Sequence, residues 1–378
     1  MDNGGTMTAN SSRRLALASL LVCPLIAASS AAREPTEQEQ FMVELINRAR
    51  LDPAAEVARF GLGSLNEGSP TLGGVPYTIR DGPHQAVAID PEIMDATSDY
   101  AELMEGTDTF CHTCLGTDPQ DRMLAAGYVS ARSDFDPPAG VASYTLDYGF
   151  ADDGGGLILV PGRENLAKRT EGPKNGMIDD LTAAVAEAHA GLFEDLTVPS
   201  RGHRSTMMYG EWKEVGVGIA EGPEGSFDSL YISIDFAHRS DTGPFLTGVA
   251  YDDVDGDDFY TPDAGEPLGG LLVQAFGAGT ATLVDSTNTF ASGGYSLELP
   301  VGTYDVRFSG PGIDETFPGV LLAAGPAGHA ENTKLDFVYA VEPAAALSGA
   351  TALGVAAALG RGRRRRASVT RGSGFPPP

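Results

Sequence analysis

Gly162-Arg163-Glu164-Asn165-Leu166-Ala167 sets the reading of the larger part of this chain. It stands out together with several other short segments. Downstream come Gly202-His203-Arg204 and then Glu214-Val215-Gly216-Val217-Gly218-Ile219, where Val215, Val217 and Ile219 alternate with glycine and acid. Leu230, Ile232, Ile234 and Phe236 alternate with Tyr231, Ser233 and Asp235. Both runs predict strands. Upstream lie Asp121-Arg122 with Ala126-Gly127-Tyr128 and, before them, Phe110-Cys111-His112-Thr113. Helical spacing surrounds these segments. Thr36-x-x-Glu39 has capping-box form, followed by Phe41, Leu45, Ile46 and Ala49, with an interruption at Asp52-Pro53. Gly61 to Pro83 reads as loop. A second helix is predicted over Pro91 to Met104, a short third over Asp118 to Gly127, and a long one over Met177 to Phe193. Ser130 to Gly156 reads as irregular and acidic. Helices first and strands later in one unit predict an α+β layered domain.

In this order, and with Leu45-Ile46-Asn47-Arg48-Ala49-Arg50 in the opening helix, the segments resemble the CAP superfamily (cysteine-rich secretory proteins, antigen 5, pathogenesis-related 1) in its bacterial SCP-like branch. The resemblance covers about residues 36–240. It implies an α-β-α sandwich whose central cleft holds two histidines and two acids. By position His112 matches the first histidine, Glu164 the first acid and His203 the second histidine. The second acid falls at Glu194 or Asp195, with Asp195 the preferred match. His189 to Arg201 departs from the family pattern of a Trp and a shorter loop, and His189 could also face the cleft.

Neutral imidazoles and carboxylates in one cleft can bind a divalent ion such as zinc, the carboxylates orienting the rings. They can also move protons near neutral pH. No nucleophile with a paired base is evident, because Cys111 cannot readily point the same way as its neighbour His112. The leading expectation is therefore a binding cleft rather than an enzyme. A metal-dependent extracellular hydrolase with Glu164 or Asp195 as base is the rival, and a purely structural role for the two histidines is the plainest alternative. Arg204 is expected to pair with a carboxylate. Cys111 and Cys114 are expected as a small local disulfide or as free thiols, with a redox site a distant third.

Asp241 to Pro244 reads as a linker, and the pattern then changes to short strands: Thr247–Tyr251, Leu271–Ala275, Tyr295–Leu299, Tyr304–Phe308 and Leu335–Tyr339. This predicts a small all-β sandwich over 244–340, after a first domain over 33–243. Asp253, Asp255 and Asp257 alternate, and Glu266 follows, a pattern that can gather oxygens for calcium. The segment from Val249-Ala250-Tyr251-Asp252 to Gly269-Gly270-Leu271, with Gly294-Tyr295-Ser296-Leu297 and Pro300 to Val306, resembles SdrD-type B repeats and carboxypeptidase-regulatory-like modules. That resemblance implies Asp253, Asp255, Asp257 and Glu266 as side-chain calcium ligands, and the Phe259 carbonyl with them. A solvated acidic turn is the alternative.

The ends predict export. Arg13 and Arg14, the apolar Leu15 to Ala28 and the small Ser29 to Ala32 have the order of a secretory signal peptide over residues 1–32. Lipidation at Cys23 is a lesser option. At the other end Glu342-Pro343, the apolar Ala344 to Gly360 and the cluster Arg361, Arg363, Arg364, Arg365 and Arg366 resemble a PEP-CTERM sorting tail over 341–378, although the motif is Val-Glu-Pro and twelve residues follow Arg366. A plain tail anchor is the alternative. The formal net charge of −27 argues against nucleic acid and anionic membrane surfaces as partners. The expected partners are a small ligand, lipid or peptide, envelope or extracellular matrix components, and a sorting peptidase at the C-terminus.

Overall fold

A computed structural model describes Met1 and residues 33–128, 150–152, 157–159, 162–172, 175–239, 242–323, 330–341 and 363–370. The expected signal segment, the tail's Glu342-Pro343 and apolar run, Arg361, and most of Ser130 to Gly156 lie outside the described residues. No helix among the described residues is long and apolar enough to cross a membrane.

The first part runs α1 (Glu37–Leu51), α2 (Pro53–Arg59), β1 (Thr71–Leu72), β2 (Val75–Pro76), β3 (Ala88–Ile89), α3 (Pro91–Gly106), α4 (Pro119–Ala126), β4 (Phe150–Asp152), β5 (Leu157–Leu159), β6 (Gly162–Glu171), α5 (Leu181–Glu194), α6 (Gly202–Met207), β7 (Glu214–Glu224) and β8 (Phe227–Ala237). The capping box at α1 forms: Thr36 N–H donates to Glu39 and Glu39 N–H to the Thr36 hydroxyl. Asp52 ends α1 and caps α2 through Ala55 N–H. The helix expected from Met177 starts later, at Leu181. Asp180 caps it through Ala183 N–H, and the Asp228 carboxylate holds Asn175 N–H and Gly176 N–H in a turn before it.

Four strands form the central sheet in the order β3-β7-β8-β6. Helix α3 crosses one face so closely that a Cβ on Gly218 would sit 2.2 Å from the Thr97 carbonyl oxygen, and one on Gly216 would sit 2.4 Å from the Ile93 backbone. Glycine at both positions is what lets helix backbone lie on sheet backbone. On the other face α1 and α5 bury Phe41, Leu45, Ile46, Val185 and Leu192 against Val215, Val217, Ile232 and Ile234. This is the α-β-α sandwich.

The second part runs β9 (Phe245–Tyr251), a short 3-10 turn (Pro262–Ala264), β10 (Leu272–Gly277), β11 (Leu283–Asn288), β12 (Gly294–Glu298), β13 (Gly302–Gly310), β14 (Ile313–Leu322), β15 (Thr333–Val341) and β16 (Arg363–Thr370). Two four-stranded sheets, β11-β10-β13-β14 and β12-β9-β15-β16, face each other. Their core is Leu246, Val273, Tyr295, Val306, Phe308, Leu335 and Phe337, with Phe308 and Phe337 stacked 5.2 Å apart. Strand β16 carries four of the C-terminal arginines and pairs antiparallel with β15. Strands β11 and β14 were not expected. Every β11 residue but one is exposed, so it lacks an alternating apolar face, and β14 is interrupted by Pro318 and by Gly319 at φ +75°.

The two parts are fused rather than strung. Val249, Tyr251, Tyr260 and Val338 belong to the same core as α1 and α5. The Asn332 side chain donates to the carbonyls of Ala86 and Lys213. Lys334 reaches from β15 to Glu44 on α1, at 2.8 Å.

Candidate functional site

Strand β6 is the edge of the central sheet, and its alternation builds the site. Leu166 packs with Tyr100 and Met104 of α3, whereas Ala167 joins the core made by α1 and α5. By the same parity Glu164 faces the α3–α4 layer and Asn165 the α5–α6 layer. Two adjacent residues of one edge strand therefore reach the two sides on which the histidines lie.

On the α3–α4 side the Glu164 carboxylate, itself buried, takes His112 Nδ1 at 2.7 Å. It also accepts from the Arg122 guanidinium and from Ser233 Oγ at 3.1 Å. Arg122 stacks over the Tyr100 ring, 3.4 Å from its centroid, and donates to the carbonyls of His112 and Thr117. Tyr100 in turn donates its hydroxyl to the Cys111 carbonyl. The loop that carries His112 is thus tied down on both sides of that residue. Cys111 and Cys114 form a disulfide, so in this state the Cys111 sulfur is not a nucleophile.

On the α5–α6 side Asp195 closes α5 in the left-handed conformation at φ +48°. Aspartate tolerates that region better than most residues. Its carboxylate accepts from His203 Nδ1 and from His203 N–H, both at 2.9 Å, and from Arg204 N–H at 3.4 Å. Asn165 Nδ2 donates to the His203 carbonyl at 3.0 Å. Asp195, not Glu194, holds the histidine. Glu194 contributes its backbone carbonyl to the buried Arg204.

Both imidazoles keep access to solvent, with about a third of the His112 side chain (36 %) and 28 % of His203 exposed. Each ring meets its acid through Nδ1, so Nε2 is the ring nitrogen that the acid does not engage.

Two expectations need correction. His189 does not face the cleft. It is fully buried between Phe60 and Phe193, with neither ring nitrogen hydrogen-bonded. Burial, and then the nearby Arg48 and Arg59, lower its pKa to about 3, so it is a neutral core residue. Arg204 does not pair with a carboxylate side chain. It donates to the backbone carbonyls of Phe193, Leu65 and Glu194.

Arg122, Ser233, Asn165 and Tyr100 were not singled out as site residues. The chain carried signals for two of them: Asp121-Arg122 and Glu164-Asn165 stood among the matched segments.

In the second part Asp253, Asp255 and Glu266 bring one carboxylate oxygen each within 4.8 Å of the others. Among the described residues this is the grouping of three or more metal-type donors, and the cleft histidines are not in it. Glu266 is fully buried and accepts from Val254 N–H and Thr261 N–H. Asp257 stands outside the group and accepts Phe259 N–H. The Phe259 ring packs on Phe41, with Arg48 5.0 Å above it.

The profile of the cysteine-rich secretory protein (CAP) family matches residues 43–236, just over half of the chain. The chain belongs to the CAP family. Among curated proteins none matches it. Three solved structures are similar to this CAP protein. An outer surface protein of Borrelia burgdorferi shares 13 % identity, covering 55 % of this chain and 96 % of its own, with a TM-score of 0.27. NaASP2, crystallised with Zn2+, shares 14 % identity over 53 % of this chain and 80 % of its own, at a TM-score of 0.28. BmVAL-1 shares 13 % identity over 55 % and 79 %, at 0.29.

Proposed function

We propose that this CAP protein is exported and held at the cell surface, and that its cleft binds a divalent metal such as zinc through His112 and His203. The observation that carries the reading is the paired arrangement itself: each imidazole is fixed at Nδ1 by its own buried acid, on either side of one edge strand. A carboxylate behind a histidine sets the tautomer and raises the basicity of the ligating nitrogen. Two neutral imidazoles are a donor set that suits zinc and its neighbours, with the remaining positions open. When bound, such an ion supplies a Lewis-acidic anchor for a polar group of a small ligand, lipid or peptide. The hydrolase reading has less support, because Glu164 and Asp195 already engage the two histidines, Arg122 and Ser233.

Zinc titration by calorimetry tests this. The doubly substituted His112→Ala/His203→Ala protein is expected to lose at least about a hundredfold in affinity, since even residues behind a metal's ligands are worth 10–100-fold. Equal affinity in the two proteins would remove the metal from the cleft.

The second part is read as a spacer or adhesion module braced by calcium. Three carboxylates gather there, and among the described residues none of the three forms an ion pair with a lysine or arginine. Burial raises the Glu266 pKa, and the neighbouring Asp255 adds to that rise. A divalent cation offsets both effects, and oxygen donors from an acidic loop are the chemistry calcium takes. Calcium at 100 times its dissociation constant is expected to stabilise the protein by about 2.7 kcal/mol. Asp253→Asn with Glu266→Gln should abolish that gain in a thermal melt. An unchanged melting temperature of the wild type on adding calcium would end the calcium reading.

A further inference from the structure

Asp235 lies behind the His112–Glu164 pair. It is fully buried on β8, directly across the ladder from Glu164 on β6 and from Gly216 on β7. Neither of its carboxylate oxygens has a hydrogen-bond partner. Glu164, almost as deeply buried, accepts from three donors: His112, Arg122 and Ser233. The charged groups acting on Asp235 are Glu164 from β6 and Arg122 from α4. Tyr100 from α3 also feels the Asp235 charge, and β7 presents Gly216 directly opposite, with the buried Glu214 two residues away on the same face.

Two buried carboxyls therefore face one guanidinium. An ionised Asp235 would be a buried anion to which nothing donates. The proton belongs on the carboxyl to which nothing donates. We propose that Asp235 is a positioning residue of the cleft that holds a proton at neutral pH, so that the Arg122 and Ser233 donors stay with Glu164, the acid that fixes His112. Burial first, and then the Glu164 charge, push the Asp235 carboxyl well above the usual carboxylate range, in agreement with the hydrogen bonds. Glu164 thereby keeps its bond to His112 Nδ1. The consequence for ligation rests on the metal reading of the cleft; the protonation itself is measurable in metal-free protein.

Asp235→Asn replaces the acid by its neutral isostere. Unfolded, Asp235 ionises near the usual value of about 3.9. Folded, it keeps its proton to higher pH. The folded state then binds more protons than the unfolded state in that window, so the wild type loses stability as pH rises through it. The ratio of wild-type to Asp235→Asn unfolding constants is expected to climb about tenfold per pH unit above about pH 4, until the folded group ionises. Infrared difference spectra at neutral pH should show the carboxylic-acid carbonyl band of the wild type lost in the variant. Asp235→Ser gives the same two readouts if the amide does not fold. A ratio that stays flat with pH, or an unchanged acid band, overturns the proposal. Zinc titration run alongside separates the two readings. Absent zinc binding would remove the metal and leave Asp235 protonated, whereas a flat ratio with zinc still bound would do the reverse.

Discussion

Arg50→Met is expected to remove about 4 kcal/mol of stability or more, summing buried carbonyls left without donors at about 1–3 kcal/mol each. The Arg50 side chain is fully buried at the end of α1. Its guanidinium donates to the carbonyls of Gln85, Met207 and Tyr209 at 2.7 to 2.9 Å and to that of Trp212 at 3.4 Å. Burial lowers its pKa to about 9, which still leaves it charged at neutral pH. One side chain thus ties α1 to the entry of β3 and to the turn that follows α6, the helix that carries His203. Lysine cannot replace it, because a single ammonium does not present a planar fork of donors. A loss of this size is comparable to the whole stability of a marginal domain, about 5–15 kcal/mol. Chemical denaturation would show it. Arg33→Met, which breaks only partly exposed ion pairs with Glu39 and Glu102, should change stability by less than about 1 kcal/mol. Equal midpoints for the two variants would mean that the four carbonyls find other donors.

Lys334→Met is expected to cost about 3–5 kcal/mol, the range for breaking a buried ion pair from one side. Lys334 is 5 % exposed and meets Glu44 of α1 and Asp336 of its own strand. Burial alone would lower its pKa, but Asp336 and Glu44 raise it to about 12, so the ammonium is firmly charged. Methionine nearly fills the same volume, and a cavity is therefore not the cause of the loss. What remains is two carboxylates side by side in the interface between the CAP sandwich and the second sheet pair. Adding Glu44→Gln should restore much of the stability, because it removes one of those charges. If the double variant is no better than the single one, the loss comes from packing and not from charge. The wild type should melt in one transition, since the two parts share a core.

The helices and the paired strands β7 and β8 were legible because their apolar residues recur at clean periods. The histidines and acids of the cleft were legible only as motif positions. Composition and spacing place no imidazole beside a carboxylate. Ser233 and Asp235 show why the rest was hidden. On the sequence they are the polar side of an alternating strand, which reads as the solvent side. In the fold α3 covers that side too, so both are fully buried and become part of the site. His189 failed for the converse reason. A histidine near the end of α5 looked like a cleft residue, but α5 turns it toward α2, where Phe60 and Glu56 lie against it. Edge strands such as β11 carry few apolar residues, and nothing in their composition separates them from loops.

The central claim is that one ion is held between the two histidines. X-ray absorption spectroscopy of the zinc-loaded protein tests it most directly. The account predicts two imidazole nitrogens among the zinc donors at about 2.0–2.1 Å, and their loss in His112→Ala/His203→Ala. An oxygen-only spectrum, or one that the double substitution leaves unchanged, would contradict it.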